Sequence, residues 1–286
     1  MRTRPPDALR DDGFGFGMSV ENERQDRYLS LGTGAILRYC GTAMRFFFRF
    51  LSLVFLPILA NAQQPLNSST QLLVVTTSDW SAAEGKLQRF ERSDAHKKWK
   101  TVGEPVTVVV GKNGLGWGTG VLPVGPQPGD PVKKEGDGKA PAGIFRLSSA
   151  FGYAPQEQSG WTMPYVSLTS TVECVDDVNS KFYNRILDRG SVNPDWNSSE
   201  QMRRNDELYR WGIVVDHNAN PIKPGGGSCI FMHIWRGAGQ GTVGCTAMPQ
   251  EKLEAVLAWL DPKKNPLLVQ LPAAEYTRMK RKWKLP

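Results

Sequence analysis

The amino-acid sequence predicts a mostly β fold with a few helices. The first observation is the distribution of turn-forming residues, because 29 glycines and 20 prolines recur between short apolar runs along the 286 residues. The second is that several of those runs are short and rich in β-branched side chains, which is typical of strands. The clearest helical period is confined to one run near the C-terminal end of the sequence.

Eight runs predict strands, because each is short, apolar or alternating, and bounded by turn-forming residues. They lie at 71–77, 86–92, 105–110, 143–147, 162–170, 211–218, 228–235 and 266–271. The strongest is PVTVVV at 105–110, which is β-branched throughout after its proline. The glycine-rich GKNGLGWGTG at 111–120 predicts an exposed loop and hairpin region directly after it.

Helices are predicted in three places. The clearest lies within MPQEKLEAVLAWLDP, 248–262, where Pro249 suits the first helical position and leucines and a valine recur on one face. Residues 198–210 also have helical character, with Asn197 or Ser198 as the cap. The basic run 275–284 is a candidate for the third helix.

Composition and charge exclude two classes of protein. Apolar residues make up 40% and charged residues 22% of the chain, which is ordinary for a globular protein and excludes a disordered one. The net charge is +7, but no lysine and arginine block is interleaved with aromatic residues, so we predict no nucleic-acid partner. The charge indicates attraction to an anionic cell wall or membrane surface, while solvated surface lysines explain it equally well. Contact with a membrane is expected to be peripheral at most.

The first 62 residues have the layout of an export signal preceded by an extension. Residues 44–62 combine two arginines, an uncharged apolar run and a small-residue cleavage motif. The apolar run is too short to cross a bilayer of roughly 30 Å as a helix. Residues 1–43 are unpatterned, so we interpret Met44 as the true start; a buried strand or a membrane anchor is the alternative for the apolar run. The prediction is a single exported domain, 63–286, in the periplasm or cell envelope.

Three cysteines remain in the exported domain: Cys174, Cys229 and Cys245. An odd number in an oxidising compartment favours one disulfide and one free thiol. If Cys245 is the reactive thiol, Cys174 and Cys229 are left to pair; the alternative is three free cysteines. No histidine and cysteine set has zinc spacing, so no metal site is predicted.

The segment HIWRGAGQGTVGCTAM, 233–248, holds the candidate catalytic residues. A free cysteine is only a few per cent thiolate at neutral pH, so Cys245 needs a base, which His233 can supply if the glycine-rich loop brings the two together. Gly244 leaves room for a substrate carbonyl, and the N–H groups of Gly244 and Cys245 predict an oxyanion hole. The helix that begins near Pro249 is expected to favour the thiolate. A polar strand-end histidine and a small buried cysteine are the non-catalytic alternative.

The order of His233, Thr242, Gly244 and Cys245 resembles the signature of the L,D-transpeptidase (YkuD) catalytic domain. That signature has a histidine, then a serine or threonine three residues before the cysteine, then a glycine and the cysteine. GDGKAPAGIF at 136–145 resembles the family's second recognisable stretch. The resemblance covers about 71–271 and implies a YkuD-like β-sandwich or barrel domain.

The chain departs from the family pattern in three respects. The spacing from histidine to cysteine is shorter than in many members. Ala247 and Met248 stand where many members carry arginine or asparagine, so Arg236 is a candidate replacement cation, with Trp235 beside it as a second candidate for substrate binding. The polar stretch 174–227 looks like an insertion, and we expect either a solvated excursion or a wall of the Cys245 cleft.

The resemblance implies the chemistry of the site. Cys245 attacks a peptide carbonyl in a peptidoglycan stem and expels D-alanine, while His233 moves the proton and Thr242 holds the loop and orients the histidine. An amine of a second stem, or water, then resolves the thioester. The resemblance also implies that neither metal nor cofactor takes part and that a carbapenem acylates Cys245. The protein is expected to act as a monomer. An L,D-carboxypeptidase, a cysteine amidase, or a wall-binding module with a vestigial dyad are the alternatives.

Overall fold

The computed structural model describes residues 65–123 and 126–286. The predicted extension at 1–43 and the export signal at 44–62 lie outside the described residues. Within those residues the chain is mostly β with a few helices, as the sequence predicts. Two of the three α-helices lie where the sequence predicts them, at Gln250–Trp259 and Ala273–Trp283, and the third, a short helix at Gln156–Ser159, was not predicted. No helix in this part of the chain is long and apolar enough to cross a membrane.

The elements follow in chain order. The strands are β1 (Gln71–Thr77), β2 (Glu84–Glu91), β3 (Lys100–Val109), β4 (Leu115–Trp117), β5 (Ala140–Gly152), β6 (Tyr165–Ser167), β7 (Val172–Val175), β8 (Ile186–Asp188), β9 (Ser199–Gln201), β10 (Trp211–Val215), β11 (Phe231–Ile234), β12 (Thr246–Met248) and β13 (Leu267–Pro272). The helices are α1 (Gln156–Ser159), α2 (Gln250–Trp259) and α3 (Ala273–Trp283).

Eight strands form one closed sheet. Their order is β10-β11-β12-β3-β2-β1-β13-β5, and β10 pairs back onto β5. Two of the pairings are parallel, β1 with β13 and β11 with β12. Closure leaves no unpaired edge in this ring of strands. Because α3 packs on β1 and β13, both faces of these strands are buried, which explains their nearly continuous apolar runs.

All eight predicted strands are present, with their ends shifted by a few residues. The prediction of an exposed loop at 111–120 is wrong in its centre, because β4 is buried and pairs in parallel with β5. The glycines permit this close packing. A Cβ at Gly114 would lie 2.0 Å from the carbonyl oxygen of Trp80, and its φ of +77° is one that other residues resist.

The helix predicted at 198–210 is also wrong. This segment instead supplies β9, and the rest of it is turns. Strand β9 pairs with β7, which also pairs with β8, so the insertion folds as a small three-stranded sheet. Buried Met202 and Tyr209 pack into a cluster with Phe231, the first residue of β11. Tertiary contacts therefore override the weak helical preference of a segment that has no apolar face.

The insertion is more buried than its polar composition predicts. The residue directly before it, Glu173 in β7, has a buried carboxylate that accepts hydrogen bonds from the side chains of Trp196, Ser199 and Gln201 in the insertion. Hydrogen bonds of this kind offset the free-energy cost of burying a carboxylate. Polar side chains therefore form part of the buried interior of this small sheet. The prediction of a solvated excursion is therefore wrong for these residues.

The predicted disulfide is present. Cys174 in β7 is bonded to Cys229, which lies two residues before β11, and Cys245 is the one free cysteine of the described residues. The bond fastens the insertion sheet to the strand that carries His233.

Candidate active site

The two central residues are brought together by adjacent parallel strands. In the pairing of β11 with β12, His233 lies opposite Ala247. Cys245 directly precedes β12 and is therefore level with Phe231. Since side chains alternate along a strand, Cys245 and Ala247 project to the same face, as does His233. The sequence prediction that the loop returns the thiol to the histidine's side is consistent with this register.

The Cys245 thiol is buried and neutral. Its residue is 3% exposed, and its Sγ accepts a hydrogen bond from the Phe231 N–H at 3.4 Å and donates to the Cys229 carbonyl at 3.5 Å. Burial, and secondarily the carboxylate of Glu200, raises the pKa of the Cys245 thiol to about 12. Within the described residues no hydrogen bond joins this thiol to His233, so the pair is adjacent but not yet engaged.

His233 is held as a neutral base. Its Nδ1–H donates to the carbonyl of Ile234 at 2.7 Å, which leaves Nε2 as the unprotonated nitrogen. The ring packs edge-to-face on Tyr209 with 5.1 Å between centroids. Burial lowers the pKa of His233 to about 4, so the imidazole is neutral at pH 7 and able to accept a proton.

The two pKa shifts disfavour a resting ion pair. Because burial raises the pKa of the Cys245 thiol and lowers the pKa of the His233 imidazole, the neutral thiol and the neutral imidazole are favoured over the thiolate–imidazolium pair. The expected help from the N-terminus of α2 is also absent, because the helix begins at Gln250, roughly 15 Å of extended chain beyond Cys245. The prediction of a lowered thiol pKa is therefore wrong.

Thr242 fixes the loop that ends in Cys245. Its hydroxyl donates to the Cys245 carbonyl at 2.6 Å and accepts the Gly244 N–H at 3.1 Å. Its backbone is bonded on both sides to the chain after β3, at Val110 and Lys112. The role predicted for Thr242 in holding the loop agrees with these bonds. No hydrogen bond in the described residues joins it to His233.

The predicted oxyanion hole needs correction at Gly244. Its N–H is already used by Thr242, whereas the Cys245 N–H has no acceptor within the described residues. Gly244 is required for space rather than for an unusual φ, since a Cβ there would lie 3.2 Å from the Lys139 carbonyl oxygen and 3.3 Å from the Ile230 side chain. A larger residue would require these neighbours to move by a few tenths of an ångström.

Two pockets flank the pair. The first, of about 140 Å³, is lined by His233 together with Trp235 and Arg236, and we call it the imidazole pocket. The second, of about 210 Å³, is lined by Cys245, and we call it the thiol pocket. Glu200 lines both pockets. Cys245 and His233 therefore face separate but neighbouring pockets.

The two pockets differ in charge. The imidazole pocket contains Arg204 and Arg236. Arg204 is paired with Asp206 at 2.8 Å, whereas Arg236 is exposed and forms no ion pair within the described residues. The thiol pocket is lined by three carboxylates and one buried lysine that is itself paired with an aspartate; these residues are Glu135, Asp176, Glu200 and Lys133, with Asp137 as the partner.

Sequence reasoning missed two residues of this site. Glu200 lies in β9 and Tyr209 lies two residues before β10, so neither stands at a recognisable spacing from His233 or Cys245. The only signal was the presence of aromatic residues in a polar segment beside the site. The predicted substrate-binding residues Trp235 and Arg236 both line the imidazole pocket.

Two buried histidines predict a loss of stability in acid. Burial also lowers the pKa of His217 to about 4, as it does for His233, against 6.5 for an exposed histidine. The unfolded chain therefore binds protons first, and stability present above pH 6.5 is lost as pH falls towards 4. Between pH 7 and 5.5 the free energy of unfolding should fall by about 1.2 kcal/mol per histidine. Urea unfolding measures this, and His217→Gln should roughly halve the fall. An unchanged stability at pH 5.5 would contradict the burial of both rings.

Comparison of this chain with protein-family models, with curated proteins and with solved structures gives no match.

Proposed function

We propose that the chain is a cysteine-dependent L,D-transpeptidase that acts on peptidoglycan stem peptides in the cell envelope through a thioester. The observation that carries the proposal is the placement of Cys245 and His233 on one face of adjacent parallel strands. The histidine tautomer is fixed with Nε2 free, and each residue lines its own pocket. The motif resemblance supplies the substrate class.

The reaction begins from neutral partners. The Cys245 Sγ attacks the stem carbonyl while Nε2 of His233 takes the thiol proton, so proton transfer and S–C bond formation are coupled. The Cys245 N–H is the available donor to the developing oxyanion. His233 then protonates the leaving amine as the C–N bond breaks, and D-alanine departs. An amine of a second stem attacks the thioester, with His233 as base, and restores the thiol.

The charges that line the two pockets complement the charges of the proposed leaving group and acceptor. The leaving D-alanine carries a carboxylate, and Arg236 lines the imidazole pocket. The incoming acceptor is an amine that is cationic in water, and the thiol pocket is lined by carboxylates. The leaving carboxylate therefore meets Arg236, which forms no ion pair within the described residues, and the incoming amine meets three carboxylates, which favours entry of each from its own side.

Two alternatives have different support. A carboxypeptidase or amidase differs only in using water as the acceptor. A wall-binding module with a vestigial dyad is favoured by one observation, the buried thiol that makes no hydrogen bond to His233. Small alkylating probes do not separate an enzyme from this module, because a thiol with a raised pKa reacts slowly in both cases.

Product analysis separates the three functions. The purified protein is incubated with muropeptides that carry tetrapeptide stems, and the products are analysed by liquid chromatography and mass spectrometry. A cross-linked dimer with release of D-alanine identifies the transpeptidase. Tripeptide stems alone identify the carboxypeptidase. No product, together with no mass increase on Cys245 after treatment with a carbapenem, identifies the binding module.

Arg236→Gln is expected to weaken substrate binding. If Arg236 pairs with the substrate carboxylate in both the ground state and the transition state, KM should rise about tenfold with kcat nearly unchanged. Steady-state release of D-alanine measures both constants. Arg210→Gln is the control, because Arg210 is exposed and does not line either pocket. An equal rise of KM in both variants would mean that only overall charge matters.

A further inference from the structure

Tyr209 is buried between the two catalytic candidates and the insertion. It is 3% exposed, and its ring packs edge-to-face on His233 and on Phe231. It belongs to the same packed cluster as Cys245. Its hydroxyl donates to the Glu200 carboxylate at 2.6 Å. One side chain therefore touches the base, packs in the cluster of the nucleophile and is fixed by a carboxylate.

Glu200 is positioned by the insertion sheet. It lies in β9, directly opposite Cys174 of β7. Cys174 is bonded to Cys229, whose carbonyl accepts the Cys245 thiol hydrogen. The carboxylate that holds Tyr209 and the carbonyl that holds the thiol are thus joined through one disulfide. The connection consists of the Tyr209–Glu200 hydrogen bond, the pairing of β9 with β7, the disulfide and the hydrogen bond from the thiol, so these groups are linked through one continuous set of contacts.

We propose that Glu200 and Tyr209 are positioning residues for the Cys245–His233 pair. Glu200 fixes the Tyr209 hydroxyl, and the Tyr209 ring holds the His233 imidazole against rotation towards the open imidazole pocket. The kinetic part of this inference rests on the proposed function, whereas the geometric part does not. Glu200 acts through Tyr209, and Tyr209 acts through its packing on the His233 ring.

Glu200 and Tyr209 have opposite effects on the pKa of the Cys245 thiol. The Glu200 carboxylate raises the pKa of Cys245, while the Tyr209 hydroxyl lowers it. The other charged groups that face the thiol are Lys133, which lowers that pKa, and Glu135 and Asp176 in the wall of the thiol pocket. Around His233 the charged groups are Arg204, Asp206 and Arg236. Arg204 is a neighbour of both residues, since its guanidinium lies 3.7 Å from the Glu200 carboxylate and 5.2 Å from the centroid of the Tyr209 ring, so Glu200→Gln also removes this ion pair.

The first experiment measures alkylation of Cys245 by iodoacetamide between pH 7 and 10, with the label located by peptide mass spectrometry. At a fixed pH, Glu200→Gln should react faster and Tyr209→Phe slower than the parent, each by roughly three- to tenfold. Two controls remove equivalent groups elsewhere. Glu173→Gln alters the buried carboxylate of β7, and Tyr165→Phe removes a tyrosine hydroxyl bonded to the Ala154 carbonyl.

A merely structural role gives a different result. Loosening of the insertion would expose the thiol and speed alkylation in Glu200→Gln, Tyr209→Phe and Glu173→Gln alike. Shifts of Glu200→Gln and Tyr209→Phe in the same direction, or no shift in either, would overturn the proposal. If Glu200→Gln does not fold, Glu200→Asp retains the charge while shortening the side chain, and alkylation should then be slower than in the parent or unchanged, not faster.

The second experiment measures turnover of tetrapeptide stems. Glu200→Gln and Tyr209→Phe should lower kcat by on the order of tenfold to a hundredfold with little change in KM, because a misplaced base costs rate rather than binding. If the parent protein turns over no stem peptide but the alkylation shifts are opposite, the proposed function fails and the positioning role stands. If the parent turns over substrate and both variants retain its kcat, the positioning role fails alone.

Discussion

Cys245→Ala is expected to abolish acyl transfer, with a loss on the order of 10⁴-fold or more in kcat. The sulfur forms the covalent intermediate in the proposed reaction, and alanine offers no nucleophile in its place. The fold should be retained, because the lost sulfur makes only two long hydrogen bonds, to the Phe231 N–H and the Cys229 carbonyl. Release of D-alanine from tetrapeptide stems measures the loss, and urea unfolding should show a change of about 1 kcal/mol.

His233→Gln is the companion variant. A nucleophile and its base act as one unit, so the loss should be comparable and the double variant little worse than either single variant. Mass spectrometry after carbapenem treatment supplies an independent readout, since the acyl adduct should be absent from Cys245→Ala. Turnover by Cys245→Ala at the parent rate would refute the assignment of the nucleophile.

The strands could be predicted because each carries its own signal. Runs such as QLLVVTT and PVTVVV combine β-branched residues with turn-forming flanks, and their pattern does not depend on their partners. The pairing of β10 with β5 that closes the sheet could not be predicted in this way, because it joins residues far apart in the sequence. Strand β4 was missed for the same reason, since its glycines indicate a loop locally and only the packing against Trp80 explains them.

The two central residues of the site could be predicted, but their electrostatics could not. His233, Thr242 and Cys245 lie within one short segment, so a local motif contains them all. The sequence predicts a thiol pKa lowered by the following helix, whereas burial raises the pKa to about 12. Depth of burial depends on what covers a residue, and part of the cover is Tyr209 from a distant segment. That contact is created by the insertion's own sheet, which has no sequence signature.

Removal of the disulfide is expected to have the second large effect, a loss of stability. The Cys174→Ser/Cys229→Ser variant should lose about 4 kcal/mol of unfolding free energy, because the bond closes a loop with a sequence separation of 55 residues. The double substitution also avoids leaving an unpaired thiol beside Cys245. Urea unfolding of the variant and of the oxidised parent measures the difference. Denatured parent protein should yield no thiol from Cys174 or Cys229 without a reductant.

Loss of the disulfide should also lower activity before the protein unfolds. Strand β9 carries Glu200 opposite Cys174, and the Cys229 carbonyl accepts the thiol hydrogen, so both sides of the site shift when the bond is absent. At a temperature where the variant is still folded, kcat should fall on the order of tenfold or more, because small displacements of the reacting groups cost large factors in rate. Glu173→Gln, which weakens the same sheet but leaves the bond intact, separates general loosening from loss of the link. If the disulfide variant retains the parent kcat while its stability falls, the bond stabilises the fold but does not position Cys245 and His233. Packing of the insertion against the two residues would then be what positions them.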